Sequence, residues 1–356
     1  MQAQATESAV ASLWRDGGIR CFLGGRALAM KKLHAVLLVL GVVFLTYLVW
    51  TIGVGELWHQ LTSLGWGLIP LILIEGVADL AHTVGWRRCL SGPHRSLPLV
   101  VLFCIRMAGF AINYLTPTAS LGGEVTKAAL LASNHTGPEA ASGVLIGKLC
   151  FAFAHLLFVV VGSMTILWHV KLPRALWVGM VISSALLAGG MVAFLLIQKY
   201  GKLGVVVRWL VARKLGGGLL QRATQNITEV DEALKLFYRE RPWDLPLGVC
   251  WHLLGNSVGI FQTWFFFHLL NEDASLVVAA GAWVLSLWFD LVAFAVPLNL
   301  GTLEGSRIVA FKAVGYDALL GMTYGVALRL SELFWAGFGL VSHGLLSRTG
   351  HLRDAG

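Results

Sequence analysis

An acid and a base recur at one spacing in two distant apolar stretches of the chain. In NYLTPTASLGGEVTKAALLASN, residues 113–134, Pro117 is followed by Glu124 and then Lys127; in AVPLNLGTLEGSRIVAF, residues 295–311, Pro297 is followed at the same intervals by Glu304 and Arg307. Glycines stand just ahead of each glutamate, Gly122 and Gly123 in the first stretch and Gly301 in the second. The likeness continues downstream: Lys148 lies 21 residues beyond Lys127, and Arg329 lies 22 beyond Arg307. Proline and glycine interrupt helices, and ionisable groups inside apolar segments are costly enough to be functional hypotheses by default. Two readings of Glu124 and Glu304 stand side by side. They bind a proton or ion, or they hold each break in shape by accepting backbone N–H groups and pairing with Lys127, Lys148, Arg307 and Arg329.

Further charges extend this candidate substrate-binding set. Arg106 precedes Asn113 by seven residues, so it shares a lengthwise helical stripe with Asn113 and Tyr114 leading into the first break. It either grips a phosphate or carboxylate of a ligand or pairs with Glu124 or Asp290. Arg329 and Glu332 lie about one turn apart, within pairing reach of each other. Cations outnumber the two break glutamates, which suits a phosphate. Glu75, Asp79 and His82 fall on one helical face at i, i+4 and i+7. Such residues can ligate a metal, but no second cluster of matching ligands accompanies them, so the expectation is a polar cavity lining or a buried network, without metal or cofactor. His155, His252 and His268 are expected to hydrogen-bond locally, and Asn256 and Gln262 to join helices. The five cysteines show neither disulfide nor zinc spacing.

The elements that position these residues follow from composition. With 57% hydrophobic and 13% charged residues and a mean hydropathy of +0.74, the chain exceeds what one soluble core can hide and reads as an all-α, polytopic membrane protein. Eight runs of spanning length occur, at 33–54, 65–84, 97–115, 147–168, 175–197, 245–270, 274–296 and 317–346. Residues 1–32 and 347–356 are then tails around one transmembrane domain, 33–346, whose halves are 33–197 and 244–346. The connection 198–243 has apolar residues at helical spacing on both sides of a triple glycine and reads as interfacial amphipathic helices joined by a hinge. The net charge of +8 sits in loops, where positive-inside topology accounts for it and nucleic acid is not implied. No Walker loop, dinucleotide fingerprint or nucleophile elbow occurs, which excludes the common ATP-driven and hydrolase designs.

Charge bias also bears on the paired breaks. The loop 198–243 carries nine basic residues and belongs in the cytoplasm with both tails and residues 85–96. That parity holds if the segment after each break makes one net crossing, so the two breaks open from opposite faces. Paired interrupted segments in two halves mark transporter sites built from broken helices, here as two broken or re-entrant segments in an inverted repeat.

The two signature segments, and the chain from its first span to its last, resemble the flippase-like family typified by the transmembrane region of lysylphosphatidylglycerol synthases, the multiple peptide resistance factors. The sequence looks most like stand-alone members associated with hopanoid biosynthesis. The resemblance implies a bacterial inner-membrane protein that moves a lipid between leaflets, with membrane lipids, and lipid-biosynthesis proteins, as its partners. Without the synthases' soluble aminoacyl-transferase domain, lipid aminoacylation is not expected, and the protein is read as no enzyme. Two other classes remain open: a membrane-embedded transferase or hydrolase using Glu75, Asp79, His82 or the break glutamates as acid and base, and a scaffold for a biosynthetic complex docked through 198–243.

Overall fold

The computed structural model describes residues 43, 46–115, 121–132, 137–169, 173–199, 239–293 and 299–353. Pro117, Ser120 and Pro297, the N-terminal tail, most of the first expected span and the body of the 198–243 connection lie outside the described residues. Eleven α-helices are present among them: α1 (Val54–Leu64), α2 (Leu68–Cys89), α3 (Gly92–Ser96), α4 (Leu99–Leu115), α5 (Leu121–Ala132), α6 (Gly137–His169), α7 (Arg174–Lys199), α8 (Asp244–Leu269), α9 (Leu276–Ala293), α10 (Thr302–Ala313) and α11 (Ala318–Arg353).

By length and composition, three helical stretches among the described residues suffice to cross a membrane: Val54–Cys89, Glu139–His169 and Arg174–Ala193. Shorter apolar helices cover Leu99–Leu115 and Leu276–Leu291. This differs from the eight expected spans for physical reasons. Helix α8 carries His252, Asn256, Gln262 and Thr263 on buried positions, and α11 carries Thr323, Ser331 and Ser342. Their polar groups face protein, which lowers hydropathy without exposing polarity to lipid.

Helix α8 gives the bundle its direction. Its start, Asp244, meets Arg95, and its end, Leu269, would touch a Cβ placed on Gly67. Helix α2 packs along it in reverse: Gly85 lies beside Gly248, His82 beside Gly255, and Leu71 O accepts from Gln262 Nε2 at 2.8 Å. The approach is close because both faces are small. A Cβ on Gly85 would sit 3.0 Å from Gly248 O, and one on Gly255 would sit 2.6 Å from His82 Cε1. Small residues bring helix backbones together where lipid offers no hydrophobic drive for association.

Between α2 and α6 the chain makes a hairpin. Helix α4 rises from the Asp244 end and α5 returns to it, where Leu130 and Leu131 pack with Leu90, Leu102 and Ala140. Helix α6 then starts again from that end, with Gly143 against Leu90 and Gly147 against Trp86. The second half repeats the plan from the other end. Helix α9 starts beyond Leu269, and α10 returns to bring Phe311 against Phe266 and Phe267. Helix α11 then sets off from there, with Tyr324 on Phe266. Helices α5 and α10 are both 12 residues long, about 18 Å at 1.5 Å per residue, well short of a hydrocarbon core of about 30 Å. The long helices that follow have 33 and 36 residues.

The runs 97–115 and 274–296, expected as independent spans, are thus the first arms of hairpins whose short second arms undo their advance. The second break has a local cause: Asn299 and Gly301 take φ of 47° and 73°, left-handed values that a helix cannot contain and that Gly301 adopts without a Cβ penalty. Gly301 is the N-cap of α10.

Candidate functional site

The two hairpin tips meet at one side chain. Arg329, on α11, pairs through its guanidinium with Glu304 of α10, with Nη2 3.1 Å from Oε2. The same Nη2 donates to Asn299 O at 2.9 Å, and Nη1 donates to the Tyr114 hydroxyl at 3.3 Å. Tyr114 ends α4 and Asn299 precedes α10, so Arg329 touches the first hairpin and the second together. The Glu304 side chain is 0% exposed. A buried carboxylate of this kind persists only when a fork of donors satisfies it. Helix α11 can lie this close because Gly325 faces Glu304, where a Cβ would come within 2.9 Å of its Cα.

The first hairpin has a corresponding arrangement made with lysines. Glu124 of α5 pairs with Lys127 one turn on and with Lys148 of α6 at 3.3 Å. Lys127 Nζ also stands 5.6 Å from the ring centre of Trp86, a cation–π distance. Gly123 N–H donates to Asn113 Oδ1 at 2.6 Å and ties α5 back to α4. Both helices pass so near that a Cβ on Gly123 would lie 2.1 Å from Gly109 O. Gly122 O accepts from Thr126. Each break glutamate thus holds a cation of the following long helix, one of the four partners that the sequence left open.

Other expected partners are exchanged. Arg106 donates to Asp79 Oδ1 at 2.6 Å and to Asp79 O at 3.3 Å, joining α4 to α2; neither Glu124 nor Asp290 is its mate. Asp290 instead takes Arg307, both carboxylate oxygens lying 2.6 Å from Nη1, with Ser306 Oγ donating to Oδ1 at 2.9 Å. Arg329 chelates Glu304 in preference to being held by Glu332 alone. Glu332 and Glu75 lie near each other, and the Oε2 of each has no hydrogen-bond partner among the described residues. The cation surplus read from the motifs shrinks to one: Arg106, Arg307 and Arg329 each have a carboxylate of their own, Asp79, Asp290 and Glu304, while Lys127 and Lys148 share Glu124. The reason is topological, since Asp79 and Asp290 enter from helices that the motifs do not contain.

Of the three histidines expected to bond locally, His155 and His252 couple helices, while His268 stacks on Trp264 of its own helix with ring centres 5.6 Å apart. His82 and His252 face each other Nδ1 to Nδ1 at 3.1 Å across α2 and α8, and His155 reaches Asn256 Oδ1 at 3.3 Å. The ring of Phe151 touches all three. Sequence reasoning missed the tryptophans that complete the site. Trp283 Nε1 donates to Asn256 O at 2.9 Å beneath the Arg307 guanidinium, 5.9 Å from the ring centre, and Trp335 Nε1 donates to Ile72 O at 2.9 Å. Glycines opposite each ring were the available signal: Cβ atoms on Gly259 and Gly76 would lie 2.2 Å and 2.3 Å from Trp283 and Trp335.

Comparison with known proteins agrees with this architecture. A relative from Methanothermobacter thermautotrophicus, described as a UPF0104 membrane protein, is 25% identical over 321 residues, covering 86% of this chain and 93% of its own length. No solved structure matches the chain significantly. Residues 33–339 match the family described as the lysylphosphatidylglycerol synthase TM region, and the chain, an integral multi-pass membrane protein, belongs to that family.

Proposed function

We propose that the protein translocates a lipid between leaflets of the bacterial inner membrane, through a site built where two helical hairpins of an inverted repeat meet. The observation that carries this reading is Arg329, bonded at once to the tip of the hairpin from the Asp244 end and to the tip of the hairpin from the opposite end. Helices α2 and α8 precede the two hairpins and run antiparallel, which is the relation an inverted repeat requires and a parallel one forbids. Broken backbone and ion pairs at membrane depth are tolerated where they line a path or lie buried in protein. Movement of one hairpin against the other changes which end of the bundle reaches Arg329.

Because each of Arg106, Arg307 and Arg329 already has its own carboxylate, a bare anion would have to displace one to reach a guanidinium. Of the anionic and polyol head groups that the motifs suggest, the paired arginines favour a polyol, whose hydroxyls donate and accept and so exchange with Asp79, Glu304 and Asn299 without stripping a guanidinium of its carboxylate. Both tails and the 198–243 connection fall on the cytosolic side in this arrangement, with α4 and α8 rising from the same end. The test is leaflet exchange of labelled lipids in vesicles holding the purified protein. Exchange that Arg329→Ala abolishes supports the reading; altered lipid chemistry without exchange replaces it with a transferase, and neither outcome replaces it with a scaffold.

A further inference from the structure

Pairing the arginines of the site leaves two carboxyls over. Arg106 holds Asp79, Arg307 holds Asp290 and Arg329 holds Glu304, so Glu75 of α2 and Glu332 of α11 have no cation of their own. The packing of α11 on α2 brings these two acids together. Trp335 lies over Gly76, where a Cβ would come within 2.3 Å of its ring, and Trp335 Nε1 donates to Ile72 O at 2.9 Å. Glu75 immediately precedes Gly76, and Glu332 lies about one turn before Trp335, so both fall at this contact. Glu75 Oε2 and Glu332 Oε2 are each buried without a hydrogen-bond partner among the described residues.

A third unpartnered group stands with them. Ser331, 1% exposed, faces the Glu75 carboxyl, yet its Oγ makes no hydrogen bond among the described residues. Other hydroxyls of the same two helices bond the carbonyl one turn back, as Thr83 does with Asp79 O and Thr323 with Leu319 O; Ser331 does not. The phenols nearby are engaged. Tyr324 shares a hydrogen bond of 2.9 Å with Thr263, and Tyr114, which accepts from Arg329, reaches Glu332 from the tip of the first hairpin. The charged and titratable groups that face the two acids are these phenols and the three ion pairs. Two adjoining carboxylates without a cation of their own cannot both stay charged in a protein interior at membrane depth. A proton between their facing oxygens, beside the Ser331 hydroxyl, removes the excess charge and supplies the missing donor.

We infer that Glu75 and Glu332 form a proton-binding site that couples lipid translocation to a proton gradient. This rests on the lipid-translocation reading and adds its driving force. The coupling runs through Tyr114, whose hydroxyl lies between Arg329 and Glu332. Movement of the first hairpin that withdraws Tyr114 takes a hydrogen-bond donor from Glu332 and so changes how firmly the pair holds its proton. The proton is taken up from one face while the hairpin stands in one position and released to the other face once it has moved. No bond of the lipid is made or broken, and the gradient alone is consumed.

The experiment uses the full-length protein in phosphatidylcholine vesicles, with infrared difference spectra recorded across a pH titration. The carbonyl stretch of a protonated carboxyl should be present near neutral pH, fade as the medium turns alkaline, and be lost in Glu75→Gln and in Glu332→Gln, whose amides mimic the protonated acid. Glu332→Asp, which keeps an acid there, should shift the band instead of removing it and serves if the glutamine variants fail to fold. In the same vesicles, labelled phosphatidylglycerol should cross several-fold faster when a proton gradient is imposed, and neither glutamine variant should respond to the gradient. A band that is absent at every pH, that never titrates, or that survives both glutamine substitutions overturns the proton site. Exchange that follows a sodium gradient, or no gradient, overturns the coupling and leaves translocation standing. A titrating band that both substitutions remove, in a protein that exchanges no lipid, would remove the translocation reading and leave the proton site standing.

Discussion

The two hairpins share a plan but not a chemistry. In the second, Glu304 is fully buried and met by Arg329 of the next helix, while Arg307, 4% exposed, is clamped on Asp290. In the first, Glu124 is met by two lysines, one of which, Lys148, is 41% exposed. A guanidinium presents a rigid fork and is never deprotonated; an ammonium is a flexible point charge that hydrates readily. The second hairpin is therefore the fixed partner, held by geometry, and the first is the one whose contacts exchange with water at least cost. Twofold architecture does not make the two halves functionally equal.

Removing the second clamp is the most severe way to test that contrast. Glu304→Gln leaves Arg329 largely buried without its carboxylate, a loss of about 3–5 kcal/mol of stability, and abolishes leaflet exchange. Thermal unfolding of the detergent-solubilised protein, read by tryptophan fluorescence, should show it as the largest drop of the series. Arg329→Lys keeps the charge and forfeits the fork to Glu304, Asn299 and Tyr114, so stability should fall by about 2–3 kcal/mol and exchange should not recover. Full activity with lysine there would show that charge alone suffices at the tips.

The first hairpin should respond less. Glu124→Gln is expected to cost about 1–2 kcal/mol while slowing exchange, and Lys148→Gln less than about 1 kcal/mol, because its partner keeps Lys127 and the side chain is partly solvated. If Lys148→Gln destabilises the fold as much as Glu304→Gln, the contrast between a fixed and an exchanging hairpin is wrong. Glu56→Gln, on the exposed face of α1, serves as the substitution with no effect. Membrane placement is tested without altering either pair. Single cysteines at Glu139 and Asp317, exposed residues where α6 and α11 begin, should react with an impermeant thiol reagent from opposite faces in a functional cysteine-free background. Labelling from one face would make the hairpins parallel and end the inverted-repeat reading.

Spacing put Lys148 and Arg329 among the possible partners of Glu124 and Glu304 without choosing between them, Lys127, Arg307 and an Arg329–Glu332 pair; the short helix followed by a long one makes the choice. Spacing proposed neither Arg106 with Asp79 nor Arg307 with Asp290. Those pairs join helices whose rotation about their axes depends on what else packs there: glycine contacts along α2 and α8, and Ser306 beside Asp290. The ends of α4 and α9 illustrate the same limit. Their apolar length matches a span, and only the return of α5 and α10 shows that they are arms of hairpins.

The sequence by itself determined the class of the protein, the two interruptions and the residues that stand at them. Hydropathy, proline, glycine and the cost of charge in lipid act locally and leave their marks at fixed intervals along the chain. Only the tertiary structure decided that the tips meet at Arg329, that Arg106 and Arg307 take Asp79 and Asp290, and that Trp335 packs over Gly76. These depend on which helix faces are brought together, and close packing between helices distant in sequence is a property of the assembled bundle that no single interval along the chain encodes.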